Sequence, residues 1–183
     1  NAVADRLRNA VERMSPLLDL RAEAGYVRRC HSDLHLGNIV VIGRPIPFDA
    51  LEFNEDFATI DVFYDLAFLL MDLDVRSQRP AANAVLNAYI ALEPTRGEIQ
   101  GLEALPLFLA TRAAVRGVVA LERARQENTD ADRDRDLARA MGYVQAVEWY
   151  LAPPPPRLVA IGGLSGTGKS TLAAGLAPRI GAA

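Results

Sequence analysis

The chain has 183 residues, of which half are apolar and 23% are charged, with 20 basic and 23 acidic side chains. This size and composition predict one good hydrophobic core, or one domain and part of a second, and exclude a disordered chain. The formal net charge of -3, without any basic block, argues against nucleic-acid binding, and a single cysteine rules out an internal disulfide.

The sequence also bears on membrane association and location. No apolar run approaches the roughly 20 residues that span a bilayer, and the first residues lack the apolar core of a signal peptide. The one cysteine, Cys30, suits a reducing compartment. We therefore expect a cytoplasmic protein with no membrane partner.

The first part of the chain predicts a helix, a short strand and a β-hairpin, in that order. Residues 3–24 place apolar side chains at helical intervals, and Gly25 supplies a stop. A β-prone run at 26–30 leads into a polar loop, and residues 39–48 predict two strands joined by a turn at 43–45. Pro47 would confine the second strand to a sheet edge or a bulge.

The remainder is predominantly helical in pattern. Helices are predicted at 60–73, 80–92, 102–125 and 132–151, separated by Pro, Gly and polar breaks. Four prolines at 153–156 favour a stiff spacer and mark a domain boundary. A buried strand at 158–161, a glycine-rich loop and a helix from Lys169 are predicted next. The expected fold class is α+β and mostly helical.

Acidic and amide side chains flank the predicted hairpin in an order typical of phosphotransferases. Asp33 and Asn38 lie in the loop before the hairpin, and Asp49 follows it. In kinase chemistry the first Asp accepts the proton of the attacking hydroxyl, while the Asn and the second Asp bind Mg²⁺. Because a hairpin brings its outer ends together, Asn38 and Asp49 can face one metal ion. The pattern predicts phosphoryl transfer from ATP with Mg²⁺ as cofactor.

A second nucleotide motif lies near the end of the chain. Residues 163–171 fit the phosphate-binding loop G-x-x-x-x-G-K-[ST]. Lys169 is the only lysine in the sequence, and it occupies the position from which an ammonium reaches the β- and γ-phosphates. Ser170 is expected to bind Mg²⁺. The predicted nucleotide-binding residues are Gly163, Ser165, Gly166, Thr167, Gly168, Lys169, Ser170 and Thr171.

Residues 31–38, 49–52 and 61–67 together resemble the aminoglycoside phosphotransferase-like branch of the protein-kinase-like fold. The match is most similar to a bacterial type fused to a C-terminal P-loop ATPase or kinase domain. The resemblance implies a kinase-like C-terminal lobe over 1–152, a proline linker at 153–156 and the truncated start of a P-loop NTPase domain at 157–183. Family members often have Gly at the position of Ser32 and a basic residue at that of Gly37.

The resemblance also implies residue roles. Asp33 would be the catalytic base, Asn38 and Asp49 the metal ligands, and His31 a residue that braces the catalytic loop. Asp65 resembles a buried Asp that binds the loop's backbone amides. The resemblance further implies a small hydroxyl-bearing substrate and an N-terminal lobe upstream, which carries a strand lysine. The isolated chain is therefore expected to be weakly active or inactive.

Other interpretations stay open. The helical region could be a non-catalytic scaffold or interaction module, with nucleotide handled only by the P-loop domain. Cys30, His31 and His35 could suggest zinc, but zinc usually needs three or four convergent ligands and the chain has no other His or Cys. The acidic residues at 52–56 could assist a metal or a cationic substrate, or form a solvated turn.

Overall fold

The computed structural model describes residues 2–92, 96–153, 155 and 158–181, and within them the chain is α+β and mostly helical, as predicted. The helices are α1 (Ala2–Glu23), α2 (Glu55–Ala58), α3 (Val62–Val75), α4 (Arg79–Leu92), α5 (Arg96–Gln126), α6 (Asp130–Tyr150) and α7 (Lys169–Ile180), with one 3-10 turn at Leu36–Asn38. The strands are β1 (Val27–Arg29), β2 (Ile39–Ile42), β3 (Arg44–Pro47) and β4 (Thr59–Asp61).

Two small antiparallel sheets frame the polar loop at residues 30–38. Strand β1 pairs with β4, with Arg28 opposite Ile60. Strands β2 and β3 form the predicted hairpin, in which Ile39 pairs with Pro47 and Gly43 makes the turn at φ +72°. Because both sheets begin or end at the loop, its two ends are fixed by backbone hydrogen bonds.

Helix α3 lies at the centre of the fold. Most of its residues are buried, and it packs against α4 and α5. One apolar cluster is built around Phe63, Leu66 and Leu70, with contributions from α4 and α5. A second, around Phe68 and Met71, is completed by α5 and α6. The predominantly apolar sequence of α3 therefore makes it the core helix.

A buried ion pair ties the start of α3 to the end of α1. The Arg21 guanidinium donates two hydrogen bonds to the Asp61 carboxylate, at 2.7 and 2.8 Å. Asp61 also accepts from the backbone N–H of Phe63 at 2.8 Å, which caps α3. A side chain at Gly101 would lie 3.0 Å from Arg21 and 2.9 Å from the Phe63 ring, so a glycine lets α5 approach this pair.

The structure corrects three sequence predictions. Residues 158–161 form no strand, because none of the described segments pairs with their backbone, and the Leu158 side chain is 96% exposed. The third helix begins at Val62 rather than 60, since residues 59–61 pair with β1. The fifth begins at Arg96 rather than 102. Within the predicted proline linker, positions 154 and 156 lie outside the described residues, as does 157.

The length and composition of helix α5 bear on membrane association. Its segment Ile99–Gln126 is long and apolar enough to cross a bilayer by length and composition alone. Half of its apolar stretch is buried inside the fold, and Arg112 and Arg116 lie within the segment. Those features also fit the core helix of a globular bundle.

We predict that Arg21→Met lowers the free energy of unfolding by about 3–5 kcal/mol, because it leaves the buried Asp61 charge without a partner. Urea unfolding followed by circular dichroism measures the change. The matched control is Arg8→Met, which breaks a pair with Asp5 whose side chains are 65% and 57% exposed. The control should cost less than about 1 kcal/mol. Equal losses in the two variants would contradict a structural role for the buried pair.

Candidate functional site

The predicted catalytic loop places Asp33 and Asn38 in direct contact. The Asn38 side-chain amide donates to the Asp33 carboxylate at 2.9 Å and to the Asp33 backbone carbonyl at 3.0 Å. Asn38 is buried, whereas the Asp33 side chain is 44% exposed. The loop therefore presents one carboxylate to solvent in an orientation fixed by its neighbour.

Two carboxylates on α3 bind backbone amides of the loop. Asp65 accepts from the N–H of His31 at 3.1 Å and from that of Ser32 at 2.8 Å. Asp72 accepts from the N–H of Leu36 at 3.0 Å. Seven residues separate the two Asp, which is about two helical turns, or about 10 Å along the axis. They lie on one face of α3 and bind the loop on both sides of Asp33.

The segment that carries Asp49 is bonded to the loop at three points. The N–H of Phe48 donates to the Asn38 carbonyl at 2.9 Å, and the His31 ring Nε2 lies 2.9 Å from the Phe48 carbonyl. The N–H of Leu51 donates to the His31 carbonyl at 3.0 Å. His31 thus bridges the loop and the Asp49 segment, and Asp49 follows directly after the hydrogen-bonded Phe48.

Asn38 and Asp49 have the donor chemistry that Mg²⁺ requires. Asn38 uses its nitrogen for Asp33, which leaves its carbonyl oxygen for a metal. The exposed Asp49 carboxylate makes no hydrogen bond or ion pair with another described residue. No three His, Cys, Asp or Glu side chains form a metal-binding group in the part of the chain that the structure describes. Mg²⁺ in phosphotransferases needs only one or two protein carboxylates, because phosphates and water complete its shell.

His35 contacts Asp33 and occupies the space beside Gly37. Its Nε2 lies 3.5 Å from the Asp33 carboxylate, and its Nδ1 accepts the N–H of Gly37 at 3.0 Å. A side chain at position 37 would lie 2.7 Å from the His35 ring, so glycine leaves room for the ring there. Phe68 supports the ring edge-on at a centroid distance of 5.3 Å. Since Nδ1 is an acceptor, the neutral ring carries its proton on Nε2, facing Asp33.

A buried arginine lies beneath the loop. Arg112 of α5 donates to the Tyr64 carbonyl at 3.1 Å and lies over the Tyr64 and Phe68 rings, 3.9 and 4.6 Å from their centroids. Burial lowers the pKa of the Arg112 guanidinium, and negative groups nearby, including Asp65 and Asp33, partly offset the shift. Arg112 therefore places a positive charge near the Asp33 and Asp65 carboxylates.

Cys30 precedes the loop as a neutral thiol. Burial raises its pKa to about 11, and the Asp65 and Asp61 carboxylates add to the shift. A thiol with this pKa is protonated at neutral pH and is a weak nucleophile.

Three glycines of the loop at 162–168 have positive φ angles. Gly163, Gly166 and Gly168 have φ of +152°, +79° and +80°, values that side chains disfavour. Gly168 directly precedes α7, and no side chain caps the helix there. The Lys169 ammonium and the Thr167 hydroxyl both donate to the Leu164 carbonyl. The loop is thus closed on itself by hydrogen bonds.

The two predicted sites are built on different elements. The Asp33 site uses the 30–38 loop, the β2–β3 hairpin and α3, whereas the glycine-rich loop leads into α7, which packs against α4. Ser170 and the other predicted nucleotide-binding residues are exposed, apart from the half-buried Lys169.

Comparisons with known proteins give mycobacterial relatives. An uncharacterized protein of Mycobacterium tuberculosis and one of Mycobacterium bovis are each 31% identical to this chain over 163 residues. The alignments cover 88% of this chain and 31% of each relative, so the chain spans less than a third of the curated relatives it matches. No family model matches the sequence, and no solved structure matches it. In those relatives the equivalent sequence is one segment of a much longer polypeptide.

Sequence reasoning missed three residues that shape the site. Asp72 interrupts the apolar run 66–73 of α3 and Arg112 a largely apolar part of α5, a pattern that often marks a buried, paired group. Asp72 also follows Asp65 by seven residues, which is the spacing for one helix face. The contact of His35 with Asp33 had no such signal, because it depends on the fold of the loop.

Ser32 offers a test of the loop's backbone. Its φ of +67° is left-handed, and its buried hydroxyl has no hydrogen-bond partner in the described structure. We predict that Ser32→Gly is more stable than Ser32→Ala by about 1 kcal/mol, because only glycine loses the left-handed penalty. Because both variants lose the hydroxyl, the difference between their free energies of unfolding reports the cost of the left-handed backbone. Urea unfolding measures that difference. An alanine variant at least as stable as the glycine variant would contradict this loop conformation.

Proposed function

We propose that this chain carries the catalytic loop of an ATP-dependent phosphotransferase that acts on a hydroxyl of a small molecule. The observation that supports it most is the Asn38–Asp33 hydrogen bond of 2.9 Å beside the Asp49 segment. One carboxylate is oriented and open to a substrate, and two oxygen donors stand next to it for a metal. This arrangement suits phosphoryl transfer, which depends on positioning and charge stabilisation.

In the proposed reaction, Asp33 accepts the hydroxyl proton as the substrate oxygen attacks the γ-phosphorus of ATP. The bond between the γ-phosphorus and the bridging oxygen breaks, and ADP leaves with that electron pair. Asn38 and Asp49 would bind Mg²⁺, which neutralises phosphate charge when bound. His31 positions the Asp49 segment through the Phe48 carbonyl.

The fold we propose for residues 1–152 is the C-terminal lobe of a protein-kinase-like fold, in a cytoplasmic protein. Large apolar side chains exposed on the hairpin and on the segment after Asp49 support an upstream N-terminal lobe that would cover them. Val41, Ile42, Phe53 and Phe57 are between 67% and 87% exposed. Exposed apolar surfaces of this kind commonly mark an interface.

The glycine-rich loop is proposed to bind the phosphates of a second nucleotide. Lys169 would exchange the Leu164 carbonyl for the β- and γ-phosphates, and Ser170 would bind Mg²⁺. The uncapped N–H groups at the start of α7 would face the phosphates. Residues 157–183 are then the beginning of a P-loop NTPase domain.

The proposal predicts that substitutions at Asp33 and at the glycine-rich loop affect different activities of the full natural protein. Asp33→Asn should lower ATP-dependent transfer to hydroxyl-bearing small molecules by about 10²–10⁴-fold, since a positioned base is lost. The measurement follows radiolabelled γ-phosphate across a panel of small alcohols, sugars and aminoglycosides. Asp19→Asn, on the exposed face of α1, is the matched control and should leave transfer unchanged.

A second substitution distinguishes the two nucleotide sites. Lys169→Ala should remove nucleotide turnover at the glycine-rich loop while Asp33-dependent transfer persists. If Asp33→Asn has no effect and Lys169→Ala abolishes all turnover, residues 1–152 are a non-catalytic module and the proposal is wrong.

A further inference from the structure

A cleft away from the Asp33 carboxylate is lined by four arginines. It has a volume of about 380 Å³ and lies between the end of α3 and the facing sides of α5 and α6. Each of the three helices supplies arginine to it. The residues are Arg76 from the end of α3, Arg116 and Arg123 from α5, and Arg139 from α6. A volume near 400 Å³ is in the range of small-ligand sites.

Two buried carboxylates in the cleft are already paired. Arg76 donates to Asp72 at 3.1 Å, and Arg139 donates to Asp136 at 2.9 Å. The exposed fractions of Asp72 and Asp136 are 3% and 6%, so these carboxylates lie deep while their arginines reach outward. Four guanidinium charges against two carboxylates leave a formal charge of +2 in the cleft.

That excess charge belongs to Arg116 and Arg123. Within the described ranges neither guanidinium group makes a hydrogen bond or an ion pair, and that of Arg116 lies 6.0 Å from the centroid of the Phe68 ring. They are seven residues apart on α5, so they lie on one face about 10 Å apart along the axis. Uncompensated like charges in a concave, partly apolar site attract multivalent anions.

The open centre of the cleft also fits a ligand. Gly142 of α6 lines it, and a side chain there would meet nothing within 4 Å. Val75, Val119 and Ala120 provide apolar lining. The cleft therefore offers room, an apolar wall and two unpaired guanidinium forks, a combination that suits planar or tetrahedral oxyanions.

We propose that this cleft binds a small multivalent anion through Arg116 and Arg123, with a phosphate or polycarboxylate group as the bound chemistry. Among the described residues that line the cleft are neither Asp33 nor any residue of the glycine-rich loop, although Asp72 in its wall also binds the Leu36 amide of the 30–38 loop. Its occupancy does not depend on phosphoryl transfer at Asp33.

Isothermal titration calorimetry of the 183-residue chain with inorganic pyrophosphate tests the proposal. Lys169→Ala is present throughout to remove phosphate binding at the glycine-rich loop, and EDTA excludes metal-bridged binding at Asn38 and Asp49. Saturable binding is expected, and Arg116→Gln combined with Arg123→Gln should weaken it by about tenfold or more. The matched control combines Arg125→Gln with Arg135→Gln, which removes the same charge from α5 and α6 outside the cleft and should change affinity by less than about twofold.

A second arm with citrate separates the two ligand chemistries. Tighter binding of pyrophosphate assigns a phosphate-bearing ligand, and tighter binding of citrate assigns a polycarboxylate. If the double variant misfolds, the single variant Arg123→Gln replaces it, because Arg123 is exposed and its substitution does not disturb the core. Arg123→Gln alone should weaken binding by about threefold. Absence of saturable binding of both anions, or an equal loss in the control, would overturn the proposal.

Discussion

The site depends on the Asp65 carboxylate, which accepts the backbone N–H groups of His31 and Ser32 at 3.1 and 2.8 Å. Hydrogen bonds to an ionised acceptor are about twice as strong as neutral ones, and a buried carboxylate without them would be costly. Because Asp65 lies on the most buried helix, its hydrogen bonds fix the position of the loop relative to the hydrophobic core. Asp72 repeats the arrangement at Leu36, so α3 sets the loop's path on both sides of Asp33.

The same arrangement explains why a strained residue is tolerated. Ser32 has φ +67°, and Asp65 binds both its own amide and that of the preceding residue, His31. A left-handed conformation costs about 1–2 kcal/mol for a residue with a side chain, which two charge-assisted hydrogen bonds can offset. In the proposed mechanism, this bend is what turns Asp33 towards its Asn38 partner.

Much of the fold was predictable from sequence, because its signals are local. Helical periodicity placed α1, α4 and α6 to within a few residues, and the turn at Gly43 gave the hairpin that joins Asn38 to the Asp49 segment. The strand at 59–61 was missed because its one apolar residue, Ile60, precedes the apolar run of α3 closely, and only pairing with β1 separates strand from helix. The strand predicted at 158–161 does not form, because a strand needs a hydrogen-bonded partner and no described segment supplies one.

The residues of the candidate site also fall into two groups, those that the sequence predicts and those that only the fold reveals. Asp33, Asn38, Asp49 and the glycine-rich loop follow from motif spacing, and Asp65 from the family resemblance. Arg112 and the contact of His35 with Asp33 come from tertiary packing, which brings α5 under the loop and turns the His35 ring over Gly37. The spacing of residues along the chain predicts which side chains one helix or loop brings together. Contacts between elements that are distant in sequence can be predicted only when the fold is known.

Amide hydrogen exchange followed by NMR tests whether the Asp65 and Asp72 carboxylates fix the loop at 30–38. The His31, Ser32 and Leu36 amides should be protected, and Asp65→Asn should remove protection at His31 and Ser32 while Leu36, bound by Asp72, keeps it. Rapid exchange at all three amides in the unsubstituted chain, or unchanged protection in the Asp65→Asn variant, would contradict it.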